Sequence, residues 1–224
     1  MSDGFHPPVE EYLETIQSLV EEGTPVIQAR IAQRLGRSAP AVSEMLDRLT
    51  ADGYVRRTGR SIGLTAEGRE LADRVIRRHR LAERLLVDVI GLPWHKAHLE
   101  AGRWEHVISD EVEEHLVKLL GNPSTCPHGN PIPGAPGAGE ESSQVSLADV
   151  EPGVVVRLER ITEEVELDMS ALEYLDVHGF IPGRSAVVGG RAPDGTLTLV
   201  VEGGETMGLG PALCKQMFVG TGVA

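Results

Sequence analysis

Several residue types are scarce in this sequence, and each shortage removes a class of protein. Only two cysteines occur in 224 residues, Cys126 and Cys214, far apart in the chain. A disulfide framework is therefore not expected, and a cytoplasmic setting fits. Aromatic residues are few (two Trp, three Tyr, three Phe), so the cores must be aliphatic. The start, MSDGFHPPVEEYL, has no apolar segment of the secretory kind, and no apolar run approaches the roughly 20 residues of a membrane-spanning helix. An HExxH motif is also absent, which counts against a zinc hydrolase. What remains, 41% apolar and 25% charged, is an ordinary globular composition, long enough for two or three small domains.

The net charge of −13 at first argues against a nucleic-acid partner. Its distribution argues the other way. Between residues 26 and 80 there are 12 arginines, no lysine and 6 acidic residues, a local +6, while the rest of the chain sums to −19. One basic face on an acidic body is the electrostatic pattern of a DNA binder.

Read in order, residues 8–22 place Val9, Leu13, Ile16, Leu19 and Val20 at helical spacing, and Pro7 and Pro8 fit a helix start. A second helix spans 26–35. Gly36-Arg37-Ser38 is a short turn, with Ser38 as N-cap and Pro40 in the first turn of a third helix over 39–51. Tyr54-Val55 and Ile62 to Thr65 read as strands around Thr58-Gly59-Arg60-Ser61. This order is a winged helix-turn-helix. Its third helix exposes Ser38, Ala41, Ser43, Glu44, Asp47 and Arg48 to the major groove, and the wing tip carries Arg57 and Arg60. Two long helices are expected next, from Thr65 (N-cap) to about Ile90 and from about His95 to Leu120. Their wide apolar faces suit a dimerisation layer. Residues 122–145, rich in Pro and Gly, read as a partly ordered linker. Cys126 and His128 within it resemble a ligand pair, but two groups alone make a weak site. Short β-rich runs then surround one helix, MSALEYLDVHG, in the pattern of a small SH3-like barrel. The expected fold class is mainly α with a small β domain: 1–65 winged helix-turn-helix, 66–121 helical dimerisation and metal-binding domain, 122–145 linker, 146–224 SH3-like domain.

The stretch 77–115 concentrates metal-ligand chemistry. His79 and Glu83, four apart, share one helix face, and His98, Glu105 and His106 fall on successive turns. Imidazole and carboxylate converging from adjacent helices suit a divalent transition metal.

The words RIAQRLGRSAPAVSEMLDRL, RHRLAERLLVDVIGL, HLEAGRWEHVISDEVEEHLVKLLGNP and CPHGNPIPG resemble the diphtheria toxin repressor and iron-dependent regulator family. The resemblance covers essentially the whole chain. It implies a non-enzymatic repressor that binds two divalent metals per subunit and then palindromic operator DNA as a homodimer, with one or two dimers per operator and no membrane or small-molecule substrate. By position, one metal site is implied at His79, Glu83 and His98, completed by Glu163 and Glu166, where the family's amide has become a carboxylate. The second is implied at Glu11, Gly102, Glu105 and His106. Both sulfur ligands of iron-type members are missing there, Gly102 offering only its carbonyl, while Glu11 and Glu14 sit where manganese-type relatives place carboxylates. Oxygen and imidazole suit Mn²⁺ or Fe²⁺, with a lean to Mn²⁺; Co²⁺, Ni²⁺ or Zn²⁺ are expected substitutes in vitro. For DNA, Ser38, Pro40, Ser43 and Glu44 match base-reading positions, and Gln28, Arg30, Arg48 and Arg60 are expected at phosphates. The rival readings are a winged-helix regulator sensing an organic ligand, a metal-dependent activator or metal store, and a zinc hydrolase.

Overall fold

Apolar side chains at helical spacing build the first of two units, which holds residues up to His79 together with Gly102–Glu113. The computed structural model describes residues 8–137 and 144–222; Pro7 and the 138–143 stretch of the expected linker lie outside the described residues. α1 (Pro8–Glu21) buries Leu13, Ile16 and Leu19, α2 (Gln28–Leu35) buries Ile31, and α3 (Ala39–Ala51) buries Val42, Leu46 and Leu49. These pack with Val55, Ile62 and Leu64 of the wing and with Ala72 and Ile76 of α4 (Ala66–Arg84). Val20, expected inward, is 45% exposed. It sits about 100° around the helix from Leu19, which takes the core position.

The connections are chemically specified. Gly36 adopts φ 60, and the Gly36 and Arg37 amides return to the carbonyls of Gln33 and Ala32, closing α2. Ser38 Oγ then caps α3 by accepting from Ala41 N at 3.4 Å. Arg34 clasps Glu22 through two bonds of 2.9 and 2.6 Å, tying α2 to the end of α1. The wing pairs β1 (Val55–Thr58) with β2 (Ser61–Leu64) in antiparallel register. Thr65 caps α4 through its hydroxyl, which accepts from Gly68 N at 3.1 Å. A Cβ at Gly68 would lie 2.0 Å from the Tyr54 carbonyl oxygen, so this close approach requires glycine.

The two expected long helices are interrupted. α4 passes into a π-helical turn, Leu85–Ile90, closed at Gly91 with φ 77. The expected helix from His95 to Leu120 is instead a 3₁₀ turn at Trp94–Lys96, α5 (Ala97–Trp104) and α6 (Asp110–Leu119). Ser109 starts α6: its carbonyl accepts from Glu113 N at 2.9 Å and its hydroxyl from Val112 N at 3.3 Å. An N-cap inside a continuous apolar period is invisible to periodicity. The break carries Glu105 and His106.

The second unit comprises Arg80–Ala101 and the chain from Glu114 onward. Its sheet contains β3 (Val145–Ser146), β4 (Val155–Ile161), β5 (Ser185–Arg191), β6 (Leu197–Val201), β7 (Thr206–Leu209) and β8 (Met217–Thr221). All neighbours are antiparallel, in the order β3-β8-β4-β5-β6-β7. Short helices α7 (Glu163–Glu166), α8 (Met169–Val177) and α9 (Pro211–Lys215) complete an SH3-like domain around Leu158, Ile161, Leu172, Phe180 and Leu199. Trp94 joins this core.

The stretch read as a partly ordered linker is ordered where it is described. Cys126, His128, Asn130 and Ile132 are buried. Cys126 N donates to Asn130 O at 2.8 Å and Gly129 N to Cys126 O at 3.0 Å, forming a tight turn. Ile161 N donates to His128 O at 3.1 Å, and Trp94 Nε1 to Pro127 O at 2.9 Å. Arg80 and Arg84 donate to the Pro131 and Thr125 carbonyls at 2.5 and 2.7 Å. Proline and glycine here encode a turn rather than freedom.

Gly129 is the tightest point. Its φ is 88, and a Cβ would lie 1.9 Å from the Glu159 carbonyl oxygen. Gly121 shares the positive φ, at 74, with nothing within 4 Å. In urea unfolding of metal-free protein, Gly129→Ala is expected to cost clearly more than Gly121→Ala, whose loss should stay near the strain of about 1–3 kcal/mol. Equal losses would mean that the close approach is not a constraint.

Candidate metal centres and nucleic-acid face

In the first unit, the break between α5 and α6 presents Glu105 and His106 to α1 and α4. His106 Nδ1 lies 2.6 Å from Glu10 Oε2, and its Nε2 lies 2.9 Å from Glu105 Oε1. The other Glu105 oxygen bonds His79 Nδ1. One ligand atom each of Glu14, His79 and Glu105 lie within 4.8 Å of one another. Burial alone would raise the Glu105 pKa, but His79 and His106 outweigh it and hold the carboxyl at about 2. For His106, burial alone would lower the pKa, but hydrogen bonds that the ring donates to the Glu10 and Glu105 carboxylates raise it to about 9.

Glu11, expected to face this pair, turns away. Its carboxylate is 37% exposed and 3.9 Å from Arg37. One residue along a helix is about 100° of rotation, and Glu10 takes the inward position. Glu10 and Glu14, four apart, share a helix face with buried Gln17, and that polar stripe beside the apolar one was the available signal. Gly102 is half-buried, and a Cβ there would meet nothing within 4 Å, so its side-chain position is open to a larger residue.

In the second unit, Glu83 on α4 is fully buried. His98 Nδ1 lies 3.3 Å from Glu83 and 2.8 Å from Glu166. His128 Nδ1 lies 3.0 Å from Glu83 and 3.7 Å from Glu166. Asn130 Nδ2 donates to the second Glu166 oxygen at 2.5 Å. Ligand atoms of Glu83, Cys126 and His128 lie within 4.8 Å of one another. Cys126 and His128, discounted on sequence, thus stand beside Glu83, and a sulfur donor is present after all. Glu163, the other half of the expected pair, is half-buried at the start of α7. Burial, then Glu83 and Glu166, push the Cys126 thiol well above its usual range. Burial opposes the charged His128, yet Glu83 and Glu166 raise its pKa. His128 Nε2 is buried without a hydrogen-bond partner. A buried imidazole with one nitrogen unpaired, on a residue grouped with a thiol and a carboxylate, fits a divalent metal better than a purely structural cluster.

On the DNA side, Pro40 and Glu44 are exposed on α3 and Ser43 is half-exposed. Arg48, also exposed, lies 3.6 Å from Asp52, and Arg60 is exposed at the wing tip. Gln28 donates to the Ala39 carbonyl at 2.9 Å, bracing α2 against the start of α3, and Arg30 donates to Gln33 at 3.2 Å. Arg57 of the wing lies 2.9 Å from Asp47 of α3, so the wing and α3 meet on one surface of this unit.

Comparison with known proteins agrees with this layout. Residues 5–61 match the iron dependent repressor N-terminal DNA binding domain, 65–134 its metal binding and dimerisation domain, and 145–220 the FeoA domain. The chain is 46% identical over 211 residues to the iron-dependent repressor IdeR of Mycobacterium tuberculosis strain H37Rv, covering 89% of this chain and 91% of that protein. The chain belongs to the iron-dependent repressor family. It is a metal-dependent transcriptional repressor by that membership, with operator DNA and a second copy of itself as partners. The Corynebacterium diphtheriae diphtheria toxin repressor is 52% identical over 139 residues, covering 62% of each chain. Among solved structures, a manganese-dependent transcriptional repressor in complex with manganese superposes with a TM-score of 0.85 at 30% identity, covering 95% of this chain and 99% of that one. Iron and manganese relatives thus both stand close to this member of the family. No described helix is long and apolar enough to cross a membrane.

The raised His106 pKa gives a direct test on metal-free protein. A group raised above its unfolded value contributes stability fully present below the unfolded pKa and lost as pH rises through the folded one. For His106 that window runs from 6.5 to about 9. An NMR titration should find the His106 ring titrating near 9, and Glu10→Gln should bring it down toward 6.5, while Glu11→Gln leaves it in place. A ring titrating near 6.5 in the parent chain would remove the Glu10 contact.

Proposed function

We propose that this repressor senses metal through two chemically different centres and that only the first controls DNA binding. Glu10, Glu14, His79, Glu105 and His106 form the first, to which the family resemblance adds the Gly102 carbonyl. Glu83, His98, Cys126, His128 and Glu166 form the second. The observation that carries the reading is the Glu10–His106–Glu105–His79 chain, which joins α1, α4 and the α5–α6 break within one unit. α1 packs directly on the helix-turn-helix, so whatever fixes α1 also fixes the angle of α3.

A divalent cation bound at the first centre would supply the positive charge that imidazolium protons supply in its absence. Glu10 and Glu14 would then be held toward Glu105 and His106, and the DNA-competent placement of α3 would gain population. Its oxygen and imidazole donors suit Mn²⁺ and Fe²⁺. The second centre includes a thiol, so the expected lean to Mn²⁺ applies to the first centre alone. Loading the second centre requires Cys126 to give up its proton, so its affinity rises with pH. Exposed Leu99 on α5 and Leu119 on α6, both in the second unit, are suited to the homodimer contact. We infer further that the protein is not an enzyme, that it acts in the cytoplasm, and that 1–65, 66–121, 122–145 and 146–224 divide the work as DNA reader, dimer and metal layer, structured connector and SH3-like domain.

Calorimetric Mn²⁺ titration should separate these roles. Glu10→Ala is expected to weaken binding by at least the roughly 10–100-fold that losing even an outer-shell partner costs, with Glu11→Ala unchanged. Gly102→Cys should move the ranking of the first centre toward Ni²⁺ and Zn²⁺. The reverse order for Glu10 and Glu11 would overturn the assignment. In a gel shift, chelator should abolish DNA binding by the parent chain; binding indifferent to chelator would favour the organic-ligand reading.

A further inference from the structure

α3 presents two acidic residues, Glu44 and Asp47, on its exposed face. A negative charge there meets a polyanion, so simple electrostatics has each weakening DNA binding at every sequence. Asp47 does not stand alone. Arg57 reaches back from β1 of the wing, with Nη1 2.9 Å from Asp47 Oδ1 and Nη2 donating to the Ser43 carbonyl at 3.3 Å. The guanidinium is therefore fixed by two protein acceptors one helical turn apart on α3. Its side chain is 32% exposed and that of Asp47 67%.

The fold does not explain this arrangement. The first unit is held by its apolar core, and exposed ion pairs contribute little to folding. What the contact does fix is direction. A guanidinium has five donors, and only part of that fork serves Asp47 and Ser43. Arg57 also lines a groove of about 460 Å³ together with Ile27, Gln28, Arg60 and Ile62. The rest of the fork thus lies between α3 and an open, arginine-edged groove. An arginine ordered before DNA arrives loses less side-chain freedom on binding.

We propose that Asp47 and Arg57 form one DNA-reading unit, in which Asp47 holds the Arg57 guanidinium beside Ser43 so that its remaining donors engage a pair of acceptors on DNA. This rests on the repressor reading above. The acceptor pair is a guanine edge or a phosphate, and Arg57 is the contact residue while Asp47 positions it.

The test uses the full chain loaded with Mn²⁺ and duplexes that it enriches from a random-sequence pool. Affinities of the parent, Asp47→Ala, Arg57→Ala and the double variant are measured by fluorescence anisotropy on enriched and unselected duplexes. Both positions are exposed, and thermal melts check that each variant folds. Asp47→Ala is expected to weaken the enriched duplex about tenfold although it removes a negative charge, and the double variant should be no weaker than Arg57→Ala. A guanine partner would show as lost preference at one position of a repeated selection. A phosphate partner would show as an equal loss on both duplexes with the salt slope falling by about one. The proposal is overturned if Asp47→Ala binds the enriched duplex as tightly as the parent or tighter, or if the two single losses add. Should the parent enrich no sequence with metal present, the repressor reading falls first, and the pair's role with it.

Discussion

The Glu83 side chain has no exposed surface, and an ionised carboxylate left unpaired there would cost several kcal/mol. Much of the second unit is arranged around meeting that demand. His98 and His128 approach it, and Glu166 shares both imidazoles. His128 can do so only from the tight turn that Gly129 permits, and that turn is held by Arg84, Trp94 and its own backbone bonds. Removing one partner of a buried pair typically costs about 3–5 kcal/mol, because the other charge stays behind. The cluster therefore orders the CPHGN turn even without metal, and the metal site proposed above would be laid over a structural necessity.

The first unit solves the same problem with more freedom. Glu105 lies between His79 and His106, and Glu10 adds a second carboxylate from α1. Here imidazoles from α4 and from the α5–α6 break face carboxylates from α1 and from the break itself, so exchanging their protons for a cation, as proposed above, would alter what α1 is tied to. In the second unit the same exchange also draws a proton from Cys126, whose thiol burial keeps neutral. The two centres are therefore expected to differ in proton release and in softness, although both are built from a Glu-imidazole core.

Much of the fold could be read from the sequence because it rests on local rules. Leu13, Ile16 and Leu19 mark α1, Ser38 and Thr65 cap the following helices, and Gly59-Arg60 turns the wing. Three features could not be read, each for a different reason. Ser109 caps α6 within an unbroken apolar period, so the periodicity carried straight across the break that presents Glu105 and His106. Glu10 and Glu11 are adjacent acids, and only the faint polar stripe that Glu10 shares with Glu14 and Gln17 separates them before packing does. Cys126 and His128 sit in a segment whose proline and glycine content signals freedom, yet buried carboxylates elsewhere in the chain decide its conformation. The convergence of Glu83, His98 and Glu166 from separate elements was legible through the family resemblance; the part of Glu10, Cys126 and His128 in completing the centres was not.

Charge counting misleads in a related way. The local +6 of residues 26–80 suggests a broad cationic face, but Arg34, Arg77 and Arg78 are largely buried in ion pairs with Glu22, Glu113 and Asp110. They serve the fold. The charge offered to DNA rests on a smaller set, with Arg48 on α3 and Arg56, Arg57 and Arg60 on the wing all exposed. Counterion release follows the phosphates actually neutralised, not the arginines present. An acidic body then repels DNA everywhere except at this small patch, which favours one docking orientation over loose association. The absence of lysine from the region is consistent with that economy: a planar fork can be aimed by Asp47 or braced by Glu22, whereas an ammonium is a point charge without direction.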